Sequence, residues 1–171
     1  MHERTGVITF GGNPLTLAGN EVKIGDVAPD FTVLGNDLSE VTFSSYRAKI
    51  CVISSVPSLD TPVCDIQTKR FNREAGALGP DVDILTISMD LPFAQARWCG
   101  AAGAKHVRIL SDHRNASFGQ AFGLLIKELR LLARAVYVVD REGIVRYAEI
   151  VKEVTDEPNY AAAIDAVKKL K

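Results

Sequence analysis

The chain has 171 residues, of which 47% are apolar and 24% charged, and its formal net charge is −1. That is enough chain for one domain with a real core, and there is no global positive field to call for a nucleic acid. Three cysteines are too few, and odd in number, for a disulfide scaffold.

Met1-His2-Glu3-Arg4 opens with mixed charge and no apolar core follows it, so a secretory signal is not expected. No apolar run of about 18 residues exists; Leu131 to Val139 is interrupted by Arg134. The expectation is a soluble, cytoplasmic chain without a membrane partner. Val7 to Phe10, Gly11-Gly12-Asn13-Pro14 and Leu15 to Leu17 read as a β-hairpin with a glycine-rich turn. The Gly-Gly pair lacks the lysine and helix of a phosphate loop. Phe31 to Leu34 and Val41 to Phe43 are short strands turned by Gly35-Asn36-Asp37. Ile50 to Ser55 has the length of a buried strand. A helix over 62–78 follows and stops at Gly79-Pro80.

Val82 to Met89 is the next buried strand. Asp90 is placed to cap a helix that holds Pro92 early, runs through Cys99 and ends at Gly100 and Gly103. His106 to Leu110 is a strand, and Asp112 to Phe122 a loop entering a helix. Ala135 to Val139 and Ile144 to Ile150 form a second hairpin through Asp140-Arg141-Glu142-Gly143. Asn159 to Leu170 is a closing amphipathic helix. This order predicts an α/β fold of thioredoxin-like layout. A central mixed sheet is flanked by helices, in a single domain over 1–171 with an N-terminal hairpin extension over 1–20.

Chemistry concentrates on Val56-Pro57-Ser58-Leu59-Asp60-Thr61-Pro62-Val63-Cys64. Thr61 reads as an N-cap and Pro62 as the first helical residue. Cys64 then lies in the first helical turn, beside unpaired N–H groups and the positive end of the helix dipole. That setting favours the reactive thiolate; the competing reading is a buried structural cysteine. Pro57 and Pro62 stiffen the loop. There is no Cys-x-x-Cys, which weighs against a disulfide oxidoreductase and a zinc ribbon. His2, His106 and His113 show no ligand spacing. Neither a metal nor a cofactor is expected.

Pro57-x-x-x-Thr61-x-x-Cys64 resembles the motif of the peroxiredoxins. The longer string Pro-Ser-Leu-Asp-Thr-Pro-Val-Cys resembles one branch of them, the atypical two-cysteine thiol peroxidases. Ser88 to Gln95 with Arg97-Trp98-Cys99-Gly100, Leu110-Ser111-Asp112, Lys127 to Ala135, Glu157 to Tyr160 and the N-terminal hairpin are similar to other blocks of that branch. Val56 departs from it, since an aromatic residue usually precedes the proline there.

The resemblance implies an enzyme that reduces hydrogen peroxide and alkyl hydroperoxides. Cys64 would be the peroxidatic cysteine, passing through a sulfenic acid. Cys99 would be the resolving cysteine, closing a Cys64–Cys99 disulfide that thioredoxin reduces. Thr61 would hydrogen-bond sulfur and peroxide, and Arg134 would supply the cation near both. A homodimer would pack near the site. Apart from the resemblance, Pro57, Val63, Leu91, Pro92 and Phe93 are expected to contact substrate, with Phe122 and Leu125 as further apolar wall; the competing reading of such apolar residues is ordinary core. The bonding distance of a disulfide and the separate helices predict local unfolding during turnover. Without the resemblance, Arg134 reads equally as a surface charge and Cys99 as a packing cysteine. Cys51, inside the apolar strand, is expected to be inert core. The alternative function is a non-enzymatic redox sensor or interaction module using the same cysteine pair.

Overall fold

Gly11 and Gly12 both adopt left-handed φ values, 56° and 83°. They form the two-residue turn whose twist matches a hairpin, so β1 (Glu3–Phe10) folds back as β2 (Asn13–Ala18) with Phe10 opposite Asn13. The computed structural model describes residues 1–171. The chain continues through β3 (Thr32–Leu34), β4 (Glu40–Thr42), a 3-10 turn at Phe43–Tyr46, β5 (Ile50–Ser55), α1 (Pro62–Leu78) and β6 (Val82–Ser88). It then forms α2 (Pro92–Ala102), β7 (Arg108–Ser111), α3 (Ser117–Phe122), β8 (Leu125–Ile126), β9 (Leu131–Leu132), β10 (Ala135–Val139), β11 (Val145–Ile150) and α4 (Tyr160–Lys168).

Seven strands form the main sheet in the order β11-β10-β5-β6-β7-β3-β4. β5, β6 and β7 are parallel, and the remaining pairs are antiparallel. The mixed sheet expected from the element order is therefore present. The hairpin joins β8 and β9 in a second, four-stranded sheet. These two strands, two residues each, lie in the stretch from Leu125 to Leu132 where no periodicity marked a strand. They exist because β2 offers a partner: Leu17 pairs with Ile126 and Ala18 with Leu125.

β5 is buried at all six positions, and its alternation separates two layers of core. Cys51 and Ile53 pack with Ile8, Leu17, Phe118, Phe122 and Tyr137 on the hairpin and α3 side. Ile50 and Val52 pack with Cys64, Phe71, Ile164 and Val167 on the side of α1 and α4. Phe31 stacks on Phe43 with centroids 5.0 Å apart, which turns the chain into the 3-10 segment at the point where a strand was expected to continue. α2 runs past Gly100 and ends at Gly103, whose left-handed φ of 64° returns its N–H to the Cys99 carbonyl. No helix is long and apolar enough to cross a membrane.

Candidate functional site

The site is built where β5 ends. After Ser55 the chain turns over Ser58–Thr61, with Thr61 N–H bonded to the Ser58 carbonyl at 3.1 Å, and Pro62 starts α1. Thr61 is extended at the helix boundary, as expected, yet its side chain caps nothing. The hydroxyl instead donates to the Ser58 carbonyl at 3.0 Å. The same carbonyl takes both donors of Thr61 because the turn brings it back under that residue. Cys64 is the third residue of the helix and is fully buried. Its carbonyl accepts from Thr68 Oγ1 at 2.8 Å.

Arg134 immediately precedes β10, whose first residue, Ala135, pairs with Ser55, the last residue of β5. That register sets Arg134 beside the loop leading to Cys64. Arg134 is 2% exposed. Nη2 donates to Cys64 Sγ at 3.4 Å, Nη1 to Gln67 Oε1 at 2.9 Å and Nε to the Val154 carbonyl at 2.8 Å. Gln67 is fixed in turn by donating to Ser54 Oγ at 2.7 Å. None of these acceptors is a carboxylate. A buried cation is retained where something balances it, and the cysteine sulfur is the one partner of Arg134 that can carry a negative charge. The loop and Arg134 line a cleft of about 600 Å³ with Pro57, Thr61, Pro62, Val63, Phe10, Leu129, Leu131, Val154 and Thr155.

Of the residues expected to contact substrate, Pro57 and Val63 line this cleft. Leu91, Pro92 and Phe93 do not. They begin α2, which connects β6 to β7, while the cleft opens beside β10 and the hairpin. Leu91 and Phe93 are exposed and Pro92 is buried under its own helix start. Phe122 and Leu125 belong to the core; the apolar wall comes from Phe10, Leu129 and Leu131. Asp90 does not cap α2, because Leu91 stands between it and the first helical residue. Its carboxylate accepts from Ser58 Oγ at 2.7 Å, Leu59 N–H at 2.8 Å and Ser88 Oγ at 2.6 Å. It thereby ties the Cys64 loop to the end of β6.

Cys99 is half-buried on α2 and unbonded, as are Cys51 and Cys64. It lines a separate cleft of about 380 Å³ with Asn36, Asp37, Arg108 and Ile109. Burial pushes its thiol up, partly offset by the Asn36 side chain. Cys64 lies inside the apolar layer of α1 and α4, and Cys99 packs against that same layer from the edge. Cys51 belongs to the core layer on the opposite face of the sheet from Cys64, and burial pushes its thiol well above the ordinary range.

Sequence reasoning missed Gln67, Ser54, Asp90 and the Val154 carbonyl. Only Gln67 left a signal: a polar residue among Cys64, Phe71 and Leu78 on the buried face of α1.

The family described as Redoxin matches residues 23–164. Thiol peroxidase of Bacillus subtilis (strain 168) is 61% identical over 163 residues, covering 95% of this chain and 97% of its own length. Thiol peroxidase of Staphylococcus aureus (strain MRSA252) is 54% identical over 163 residues, covering 95% and 98%. Among solved structures, a peroxiredoxin-like protein from Aquifex aeolicus superposes with a TM-score of 0.91 at 42% identity over 100% of both chains. Thiol peroxidase from Chromobacterium violaceum, at 21% identity, shares the fold with a TM-score of 0.84 over 95% of both chains. The arrangement of mixed sheet and helices is the thioredoxin-like fold of these neighbours.

Proposed function

The chain belongs to the redoxin family and is a peroxiredoxin-type thiol peroxidase; on that premise we propose how its own residues divide the work. Cys64 attacks as thiolate. Its sulfur takes one peroxide oxygen, the O–O bond breaks, and the leaving hydroxide or alkoxide departs as water or alcohol after gaining a proton. Cys64 is left as a sulfenic acid. Arg134 faces both the sulfur and the cleft, so one guanidinium stabilises the thiolate before attack and the developing oxyanion during it. Thr61 has committed its proton to Ser58, which leaves its oxygen as an acceptor that orients the peroxide O–H.

Cys99 then condenses with the sulfenic acid to a disulfide, and a thioredoxin-type dithiol returns both cysteines to thiols. A dithiol reductant of this kind fits a reducing compartment such as the cytoplasm. A cleft of about 600 Å³ exceeds what hydrogen peroxide needs, and its apolar wall of Phe10, Leu129 and Leu131 suits the tail of an organic hydroperoxide. The chain works as a homodimer, with exposed Phe93 and Leu91 as apolar surface for the contact.

The observation that carries this reading is the buried Arg134 whose one ionisable partner is the Cys64 sulfur. A coupled assay with thioredoxin, its reductase and an alkyl hydroperoxide tests it. Turnover is expected in the wild type and abolished in Cys64→Ser; turnover retained in that variant removes Cys64 from the chemistry.

A further inference from the structure

Asp65 follows Cys64 in sequence, and Trp98 precedes Cys99. Trp98 Nε1 donates to Asp65 Oδ1 at 2.9 Å. The other carboxylate oxygen of Asp65 is held by Lys69 Nζ at 2.8 Å. One hydrogen bond thus joins the two helices at the residues adjacent to their cysteines, while Cys64 is held by Arg134 and Cys99 lines a cleft of its own.

The two helices are fastened very differently. Around Cys64 the first turn of α1 is locked by the Asp65 N–H to Thr61 carbonyl bond, by Thr68 on the Cys64 carbonyl and by Arg134 on the sulfur. The N-terminal half of α2 is also anchored: Pro92 is buried, and buried Gln95 donates to Ser88 Oγ and to the Leu110 carbonyl, both at 2.9 Å. From Ala96 to Ala102, however, no residue is fully buried. That segment has Gly100 in its interior, at a place where a Cβ would meet nothing within 4 Å. Glycine weakens a helix interior, and no packing demand requires it there. Within it only Trp98 and Cys99 pack against the apolar core, and both only in part; partial burial with a helix-weakening residue marks the low-stability end of a structure.

We propose that the Asp65–Trp98 hydrogen bond is the latch on the resolving step: it holds the C-terminal turns of α2 closed while peroxide reacts, and its release lets the Cys99 segment swing to Cys64. Asp65 and Trp98 are positioning residues, acting through the cysteines beside them. The inference rests on the assignment of Cys64 and Cys99 made above. In the step it controls, the Cys99 sulfur attacks the Cys64 sulfenic sulfur. The S–S bond forms and the S–O bond breaks, and the departing hydroxide combines with the Cys99 thiol proton to leave as water. No oxidant beyond the peroxide already consumed is required.

Two variants move the latch in opposite directions. Trp98→Phe keeps an aromatic ring but removes the N–H donor, and leaves the Asp65–Lys69 ion pair in place. Gly100→Ala stiffens α2 by roughly fivefold in its local opening equilibrium, the factor separating the two residues in a helix interior. The experiment is a single-turnover rapid quench of the full chain with one equivalent of an alkyl hydroperoxide, following sulfenic acid by a dimedone-type trap and disulfide by mass. Expected is unchanged formation of sulfenic acid in both variants, with disulfide closure several-fold faster in Trp98→Phe and about fivefold slower in Gly100→Ala. Closure that is unchanged or slower in Trp98→Phe, or unchanged or faster in Gly100→Ala, overturns the latch. So does a matching change in the peroxide step, which would mark a merely structural role. Absence of trapped sulfenic acid on Cys64 in Cys99→Ser, where closure cannot compete with the trap, would instead remove the assignment of Cys64 on which the inference rests.

Discussion

Arg134 reaches Cys64 across 70 residues of chain, placing Nη2 3.4 Å from Sγ inside the protein. The guanidinium is never neutral in a protein, so the pair holds a fixed positive charge against a sulfur that changes charge during reaction. Arg134→Ala is expected to slow the reaction of Cys64 with hydroperoxide by about 100-fold or more, the scale of losing an electrostatic donor aimed at developing charge. Iodoacetamide alkylation of Cys64 at neutral pH should slow with it. Arg134→Lys should not restore the rate, because one ammonium cannot meet Gln67, Val154 and the sulfur in the plane that the guanidinium spans. Stopped-flow peroxide consumption and alkylation rates check both.

Gln67 holds that guanidinium in place while donating to Ser54. Gln67→Leu leaves Arg134 Nη1 and Ser54 Oγ without these partners in a buried site. The expected cost is about 1–3 kcal/mol of stability, together with a fall in the peroxide rate smaller than that of Arg134→Ala. Urea denaturation and the same stopped-flow assay measure the two effects.

Asp90 gathers three donors, two of them from the Cys64 loop. Asp90→Ala orphans Ser58 Oγ, Leu59 N–H and Ser88 Oγ, and should destabilise the fold by about 1–3 kcal/mol for each donor that water does not reach. Because the loop lines the cleft through Pro57, Ser58 and Thr61, the rate with hydroperoxide should fall as well. Hydrogen exchange localised to residues 57–62 is the direct check.

Asp112 supplies a pH dependence. Its carboxylate accepts from the N–H groups of Phe118 and Gly119 at 3.0 and 2.8 Å. Burial pushes its pKa from 3.8 up to about 6, against the pull of those bonds. The folded state then binds more protons than the unfolded state between pH 4 and pH 6. The stability from this group is fully present below about pH 4 and is lost as pH rises through about 6. The difference in unfolding free energy between wild type and Asp112→Asn should therefore shift by roughly 3 kcal/mol at most across that window. Denaturant titrations of both proteins at pH 4, 5, 6 and 7 give the difference; a flat difference would contradict the burial assigned to Asp112.

Cys51 is expected to be chemically silent. It lies in the sheet face opposite Cys64 and its thiol is pushed up by burial. Cys51→Ala should retain thioredoxin-linked turnover while losing about 1–2 kcal/mol of stability to the small cavity.

The parts of the site legible in sequence were those written in local chemistry. Thr61-Pro62 marks a helix start whatever surrounds it, so Cys64 could be placed in its first turn, and Ile50 to Ser55 had the apolar length of a buried strand. Arg134 required the family resemblance, because only the Ala135–Ser55 register brings it to the loop. Gln67, Ser54 and the Val154 carbonyl were illegible for the same reason: each is local to a different element, and their meeting is a product of strand order. Asp90 misled because its spacing to Pro92 fits a cap, while three loop and strand donors compete for the same carboxylate and win. Leu91 and Phe93 are apolar residues near a cysteine motif, which suggests a pocket wall, but they do not line the cleft that holds Arg134.

That Cys64 is the sulfur that attacks the peroxide and accepts its oxygen is tested most directly in Cys99→Ser, where the first oxidation product cannot be resolved by Cys99. One equivalent of alkyl hydroperoxide, followed by a sulfenic-acid trap and peptide mass spectrometry, should place one label on Cys64 for each peroxide consumed and none on Cys51. A label on Cys51, or peroxide consumed with Cys64 unmodified, would contradict the assignment.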